Sequence, residues 1–295
     1  ICNQSAMNPA PIESPLFALL AAFCLGAAMI FAKVGLRRME PAAGALVSIP
    51  TTMFLFWCLA PWVIERQAWA SPAIPIFAAV GLVFPVAVTL LTFEANHRMG
   101  PTTAATLGSV APLFAAAGAV LALGEPFSIA ILLGTLAIVA GVSLLSRQRE
   151  GMRRTWPAIA ILLPLGAAAI RGFSQLFLKS GLEILPNPFM AGLVGYTVSG
   201  VAMLVAALFR YGLGSGIRRE GIKWFMATGL LNGSAMLALY TALTKGPVIV
   251  VAPITATFPL FTLLLSMVLL RQEPLGATAF AGALLVVGGV VVILL

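Results

Sequence analysis

The sequence predicts an all-α integral membrane protein of ten transmembrane helices, built as two five-helix repeats of opposite orientation. Three observations predict it. Of the 295 residues 61% are apolar and only 9% charged, with a mean hydropathy of +1.06; that much apolar surface has no place inside one water-soluble globule of this size. The apolar residues come in runs of roughly 20, the length at which a helix crosses a hydrocarbon core, and they are Leu, Ala, Gly and Val without the alternation of barrel strands. Finally, Gly26-x4-Phe31-x-Lys33-x-Gly35-Leu36 recurs 146 residues later as Gly172-x4-Phe177-x-Lys179-x-Gly181-Leu182.

The copy extends along the whole half. Gly100-Pro101 answers Gly246-Pro247, Pro112-Leu113-Phe114 answers Pro259-Leu260-Phe261, Glu125-Pro126 answers Glu273-Pro274, and Gly134 and Gly141 answer Gly282 and Gly289. The offset grows from 146 to 147 and then 148, as two single-residue insertions produce. Duplicated halves are a hallmark of membrane transporters.

The elements follow in order. Residues 1–15 form a polar tail with no basic cluster and so no cleavable signal, with residues 1–6 read as a remnant preceding a native start at Met7. The first repeat covers 16–146. Span 1 (16–36) carries the first motif, span 2 (42–64) is apolar with Trp57 and Trp62, and span 3 (73–96) holds Thr89, Thr92 and Asn96. Span 4 (101–123) opens at Gly100-Pro101 and carries Thr102, Thr106, Ser109 and Pro112, and span 5 (128–146) follows Glu125-Pro126 with its Gly134 and Gly141. A basic linker, 147–155, leads to the second repeat at 156–295. There span 6 (156–178) carries the second motif, span 7 (187–209) is apolar, and span 8 (222–244) sets Asn232, Met236 and Tyr240 at i+4 spacing. Span 9 (248–270) holds Thr255, Pro259 and Thr262, and span 10 (276–295) holds Gly282 and Gly289.

Because five is odd, the second copy enters the membrane from the opposite side, which makes the repeats inverted. The loops after spans 1, 3, 5, 7 and 9 hold twelve Lys and Arg against three on the other face. The Arg-rich face is therefore expected in the cytoplasm, with both termini outside. That asymmetry also accounts for the net charge of +8: the basic residues mark topology and predict no nucleic-acid partner. Cys24 and Cys58 lie within spans and Cys2 in the tail, a pattern of buried, inert thiols and neither a disulfide framework nor a zinc site. No metal or cofactor is expected.

An ionisable side chain at a span centre costs roughly 2.5 to 3.5 kcal/mol on insertion scales, so each needs a reason. Arg171 falls near the middle of span 6, with Gln175 and Lys179 on the same face; the first repeat places Leu25, Met29 and Lys33 there. One half thus offers an apolar lining and the other a cationic one. Arg171 either holds an anionic group such as a carboxylate or snorkels and pairs with backbone carbonyls. The Ser and Thr residues of spans 3, 4 and 9 either line a polar path or bond helix to helix. Pro112 and Pro259, the repeat-related pair, remove a donor from the carbonyls of Gly108 and Thr255; each marks either a hinge with a polar contact for a ligand or a neutral kink. Glu94 stands four residues before Arg98 near a membrane face, an interfacial ion pair in preference to a proton carrier, beside a solvated His97.

In its order of Gly-Pro, a Pro-Leu-Phe helix, Glu-Pro and Gly-x6-Gly, at Gly100 to Leu145 and again at Gly246 to Leu294, the chain resembles the EamA-type domain of the drug/metabolite transporter superfamily over nearly its whole length. The resemblance implies a ten-helix carrier with helices 1, 3, 4, 6, 8 and 9 around a central cavity and helices 5 and 10 peripheral. It implies export of small metabolites from the bacterial inner membrane by alternating access, with amino acids, aromatic or other hydrophobic ones, as substrates, and with another small metabolite or drug such as a sugar, nucleotide-sugar or organic ion as the alternative. Substrate-contacting residues are then Arg171, Gln175, Met29, Thr89, Thr92, Ser109, Asn232, Met236, Tyr240 and Thr255, with hinges at Pro112 and Pro259. The expected partners are the small-molecule substrate and membrane lipid, the expected state a monomer. Two departures stand out: the five Trp residues lie in helix 2, in loops or at helix ends, with Ala111 before Pro112 where amino acid exporters carry Trp, and no acid lies between Leu16 and Leu36 as it does in the small drug antiporters. The chain carries no ATP-binding Gly-x4-Gly-Lys loop, no Asp and a single His, which argues against a motor and against an enzyme. The rings of charge expected of a channel are likewise missing from the sequence.

Overall fold

The computed structural model describes residues 13–88, 91, 94–95, 107–147, 158–210, 217–270 and 277–295. The described residues form helices and connecting turns. In chain order these are α1 (Glu13–Gly35), α2 (Pro41–Val63), a 3-10 turn (Arg66–Ala70), α3 (Ile74–Val83), α4 (Ala111–Leu123), α5 (Ile129–Arg147), α6 (Ala158–Ile184), α7 (Pro188–Arg210), α8 (Arg219–Lys245), α9 (Val248–Thr255), α10 (Phe258–Leu270) and α11 (Ala277–Leu294). Among the described residues six stretches are long and apolar enough to cross a membrane, the continuous 248–269 stretch among them, and four more apolar helices are shorter. Large apolar side chains such as Trp62, Leu121 and Val268 stand exposed on the outer surface, a distribution suited to lipid and costly in water. Cys58, expected to be buried, is exposed on α2: at this position the helix faces outward, where lipid accepts a thiol as readily as a core does.

Three spans that the hydropathy pattern draws as continuous are broken, each at a proline. α3 stops at Val83 because Phe84, preceding Pro85, is pushed to extended dihedrals of −116° and 128°. α4 begins only after a turn at Ser109 and Val110, with Pro112 in its first turn. The same break separates α9 from α10, where Ala256 and Thr257 form the turn and Pro259 sits in the first turn of α10. A proline in a first turn gives up an N–H that would be unpaired anyway, so it starts a helix at little cost.

Small residues let the halves interlock. A side chain on Gly26 would lie 2.7 Å from Phe261 Cβ and 2.9 Å from the Thr262 nitrogen of α10, and one on Gly172 would lie 2.8 Å from Phe114 Cβ and from the Ala115 nitrogen of α4. The glycine that heads each copy of the repeated motif therefore seats the first helix of one half against the broken helix of the other. The Gly-x6-Gly motifs meet each other as well. A Cβ on Gly134 or Gly289 would fall 2.6 Å from the other's carbonyl oxygen, and Gly141 and Gly282 stand in the same relation at 2.6 and 2.8 Å. The first glycine of one helix meets the second of the other, so α5 and α11 pack antiparallel at backbone contact.

Polar contacts repeat with the same symmetry. Thr52 of α2 donates to the Gly229 carbonyl of α8 at 2.6 Å, and Ser199 of α7 donates to the Gly81 carbonyl of α3 at 2.6 Å. At the turn between α8 and α9, Lys179 donates to the carbonyls of Leu243 (2.7 Å) and Gly246 (3.0 Å), pairing a cation with the end of α8. Glu125 accepts from the amides of Val248 and Ile249, both at 2.8 Å, at the start of α9. Gly124, at φ 64°, ends α4 in the left-handed turn that leads into Glu125. Glu125 of the first repeat thus caps a helix of the second, whereas Lys179 caps the end of α8 within its own repeat.

Candidate functional site

A cavity of about 610 Å³ lies between the two halves. Arg171, Gln175, Met29, Ser109, Asn232, Met236, Tyr240 and Thr255 all line it, as do Pro112 and Pro259. Thr89 and Thr92 lie outside the described residues, as do Asn96, His97, Arg98, Thr102 and Thr106. The stripe on α8 turns inward along its length, and α6 brings Arg171 and Gln175 to the wall because i and i+4 share a face. Leu25 and Met29, the apolar counterparts of Arg171 and Gln175, line the cavity too.

The wall is built from more helices than the resemblance implied. α2 contributes Ser48 and Thr52, α7 contributes Tyr196, and α5, expected at the periphery, contributes Val142 and Leu145. Sequence reading missed Tyr196, Ser48, Thr52, Ser174 and Thr228. A weak signal existed for Thr228, one turn before Asn232 on an inward stripe, whereas nothing in the apolar pattern of span 7 singles out Tyr196. None of the Trp residues is among those lining the wall.

Hydrogen bonding divides the polar lining into two groups. Several hydroxyls are committed to backbone: Thr52 to Gly229, Thr228 to Trp224 at 2.9 Å, Thr255 to Val251 at 2.9 Å, and Thr262 to Phe258 at 3.1 Å. Ser109 shares a bond of 3.3 Å with Ser143. Thr52 and Ser109 thereby join two helices, whereas Thr228 and Thr255 bond back to a carbonyl one turn earlier in their own helix. By contrast, the heads of Arg171, Gln175, Asn232, Tyr196 and Tyr240 have no hydrogen-bond partner among the described residues, and Gln175 Oε1 is buried without one. Among the described residues the Arg171 guanidinium, at mid-span, has neither a carboxylate nor a carbonyl partner. Gly108 and Thr255, whose carbonyls lose their i+4 donor to Pro112 and Pro259, also line the cavity.

The cavity is skewed toward one end of the bundle. α1 lines it only between residues 25 and 32, α2 between 45 and 52, and α5 at Val142 and Leu145, all toward the ends where the Arg-rich loops attach. Opposite them the molecule is tied shut by Glu125 on α9, by Lys179 on the α8 end, by Ser14 donating to the Ala242 carbonyl at 3.1 Å, and by the ion pair of Glu13 with Lys245.

The sequence profile of the EamA-like transporter family matches residues 14–147 and again 158–295. A solved crystal structure of a protein sharing 15% identity superposes with a TM-score of 0.79 and covers 95% of this chain and 95% of that one, a likeness of fold. No curated protein matches the chain at a significant level.

Proposed function

The chain belongs to the EamA-like transporter family, and on that premise we propose that it is a secondary carrier exporting small carboxylate-bearing metabolites, aromatic or other hydrophobic amino acids foremost, by alternating access. The observation that carries the substrate reading is the unpartnered guanidinium of Arg171 in the wall of the cavity. A planar guanidinium accepts a carboxylate through two parallel N–H···O bonds. Gln175 Oε1 and the carbonyls of Gly108 and Thr255 offer acceptors to an ammonium group, and Leu25, Met29 and Met236 surround a side chain with apolar, adaptable walls.

Six spanning stretches and four shorter apolar helices support ten spans, five to a repeat. The antiparallel glycine contacts of α5 and α11 support opposite orientation of the halves. With the Arg-rich loops in the cytoplasm of a bacterial inner membrane, the cavity is open to the cytoplasm, the loading side for an exporter. Counterflow in proteoliposomes tests the reading: saturable exchange of labelled amino acid, lost in Arg171→Ala with a normal elution profile, supports it. Unsaturable flux would mark a channel and end the proposal.

A further inference from the structure

We infer that this carrier is an exchanger, crossing between its two open states with a carboxylate ligand bound and not when empty. The inference rests on the reading of Arg171 as the ligand's anchor. Its guanidinium meets the cavity without a partner among the described residues, and no acidic side chain is among those lining that cavity. There is no Asp in the sequence, and Glu numbers nine. Glu125 is committed to the α9 amides and Glu13 to Lys245. Glu40, Glu65, Glu183 and Glu220 are exposed at or beside helix ends, and Glu150 and Glu273 fall between spans in the sequence. Glu94, the one acid placed within a span, is not part of the cavity wall.

While the cavity is open, water hydrates the guanidinium. Alternating access requires an intermediate closed on both sides, and closing around nothing strips that water from a lone charge in low-dielectric surroundings. Gln175 Oε1, one helical turn away, is already buried without a partner in the open structure. Closing around a carboxylate replaces lost hydration with a bidentate bond and gives Gln175 a donor if the ligand carries an ammonium group. The occluded state is therefore accessible to the loaded protein and barred to the empty one. Among the described residues no glutamate lines the cavity to carry a proton in the ligand's place, so the return journey needs a second carboxylate. Export by this protein is then driven by the gradient of whichever carboxylate it takes in exchange.

Proteoliposomes containing the purified protein test this with labelled L-phenylalanine, L-leucine and L-threonine. Uptake is measured into vesicles preloaded with the same unlabelled amino acid and into vesicles loaded with buffer alone. Preloading is expected to raise the initial rate about tenfold or more, and Arg171→Gln to bring the ratio toward unity at a lower absolute rate, because a neutral cavity closes when empty. Equal rates into the two kinds of vesicle for the native protein overturn the exchange mechanism and leave the carrier standing. A ratio that stays high in Arg171→Gln overturns the assignment to Arg171. Absence of saturable uptake in both vesicles overturns the reading of the site itself, and this inference with it.

Discussion

Arg171 and Gly172 are neighbours on α6 and do opposite things: one turns a charge into the cavity, the other admits α4 to backbone contact. Arg171→Lys keeps the charge and loses the planar fork, so we expect initial transport rates to fall about tenfold while the melting temperature in detergent stays within a degree or two of the native value. Gly172→Leu should do the reverse. Its side chain would enter the space held by Phe114 Cβ and the Ala115 nitrogen, both 2.8 Å from the position of a Cβ, and overpacking of that kind costs about 1–3 kcal/mol, read as a lowered melting temperature. Both residues were visible in the sequence, for different reasons: Arg171 because charge is rare at mid-span, Gly172 because it recurs as Gly26. What the sequence left open for Arg171, a ligand's anchor or a cation paired with backbone, turns on its surroundings, which are set by helices far away in the chain.

At the scale of elements, the proline-marked breaks and the caps decide what each helix can do. Glu125 binds two amides at the start of α9. Glu125→Ala should cost about 1–3 kcal/mol, since charge-assisted bonds to an otherwise unpaired helix start are lost, and thermal melting of the detergent-solubilised protein measures it. Pro259→Ala restores an N–H to the Thr255 carbonyl and favours a continuous helix through 256 and 257. A more stable protein with slower exchange is the expected outcome, measured by melting temperature and by counterflow rate; faster exchange would show that the break is not used in the cycle. The prolines announced the breaks in the sequence. That Glu125, in the connection after α4, caps a helix of the other repeat was not legible, because no local pattern states which distant helix start a carboxylate will meet.

For the whole molecule, the defining feature is the relation between halves. α5 and α11 cross with the glycines of one against those of the other. Gly141→Leu should disrupt this pair, and Gly282→Leu should do so to a similar degree because the two side chains would invade the same contact; elution profile and yield in detergent report it. Reporter fusions placed in the 148–157 segment and after Leu295 should lie on opposite sides of the membrane, the former cytoplasmic. Finding both on one side would remove the inverted arrangement and the transport mechanism built on it.

The sequence alone determined the class and the duplication, because membrane helices must satisfy their own backbone and so betray themselves by apolar length. It also marked inward faces, because a polar stripe such as Asn232, Met236 and Tyr240 has few places to go in lipid. Only the tertiary structure decided which polar residues are spent on packing and which stay available. Thr52 and Thr255 are bonded to backbone, whereas Arg171 and Tyr196 line the cavity without a partner among the described residues and Gln175 Oε1 is buried without one. The physical reason is that contacts such as that of Thr52 with Gly229 join groups 177 residues apart in the chain, and no spacing within one span records that meeting.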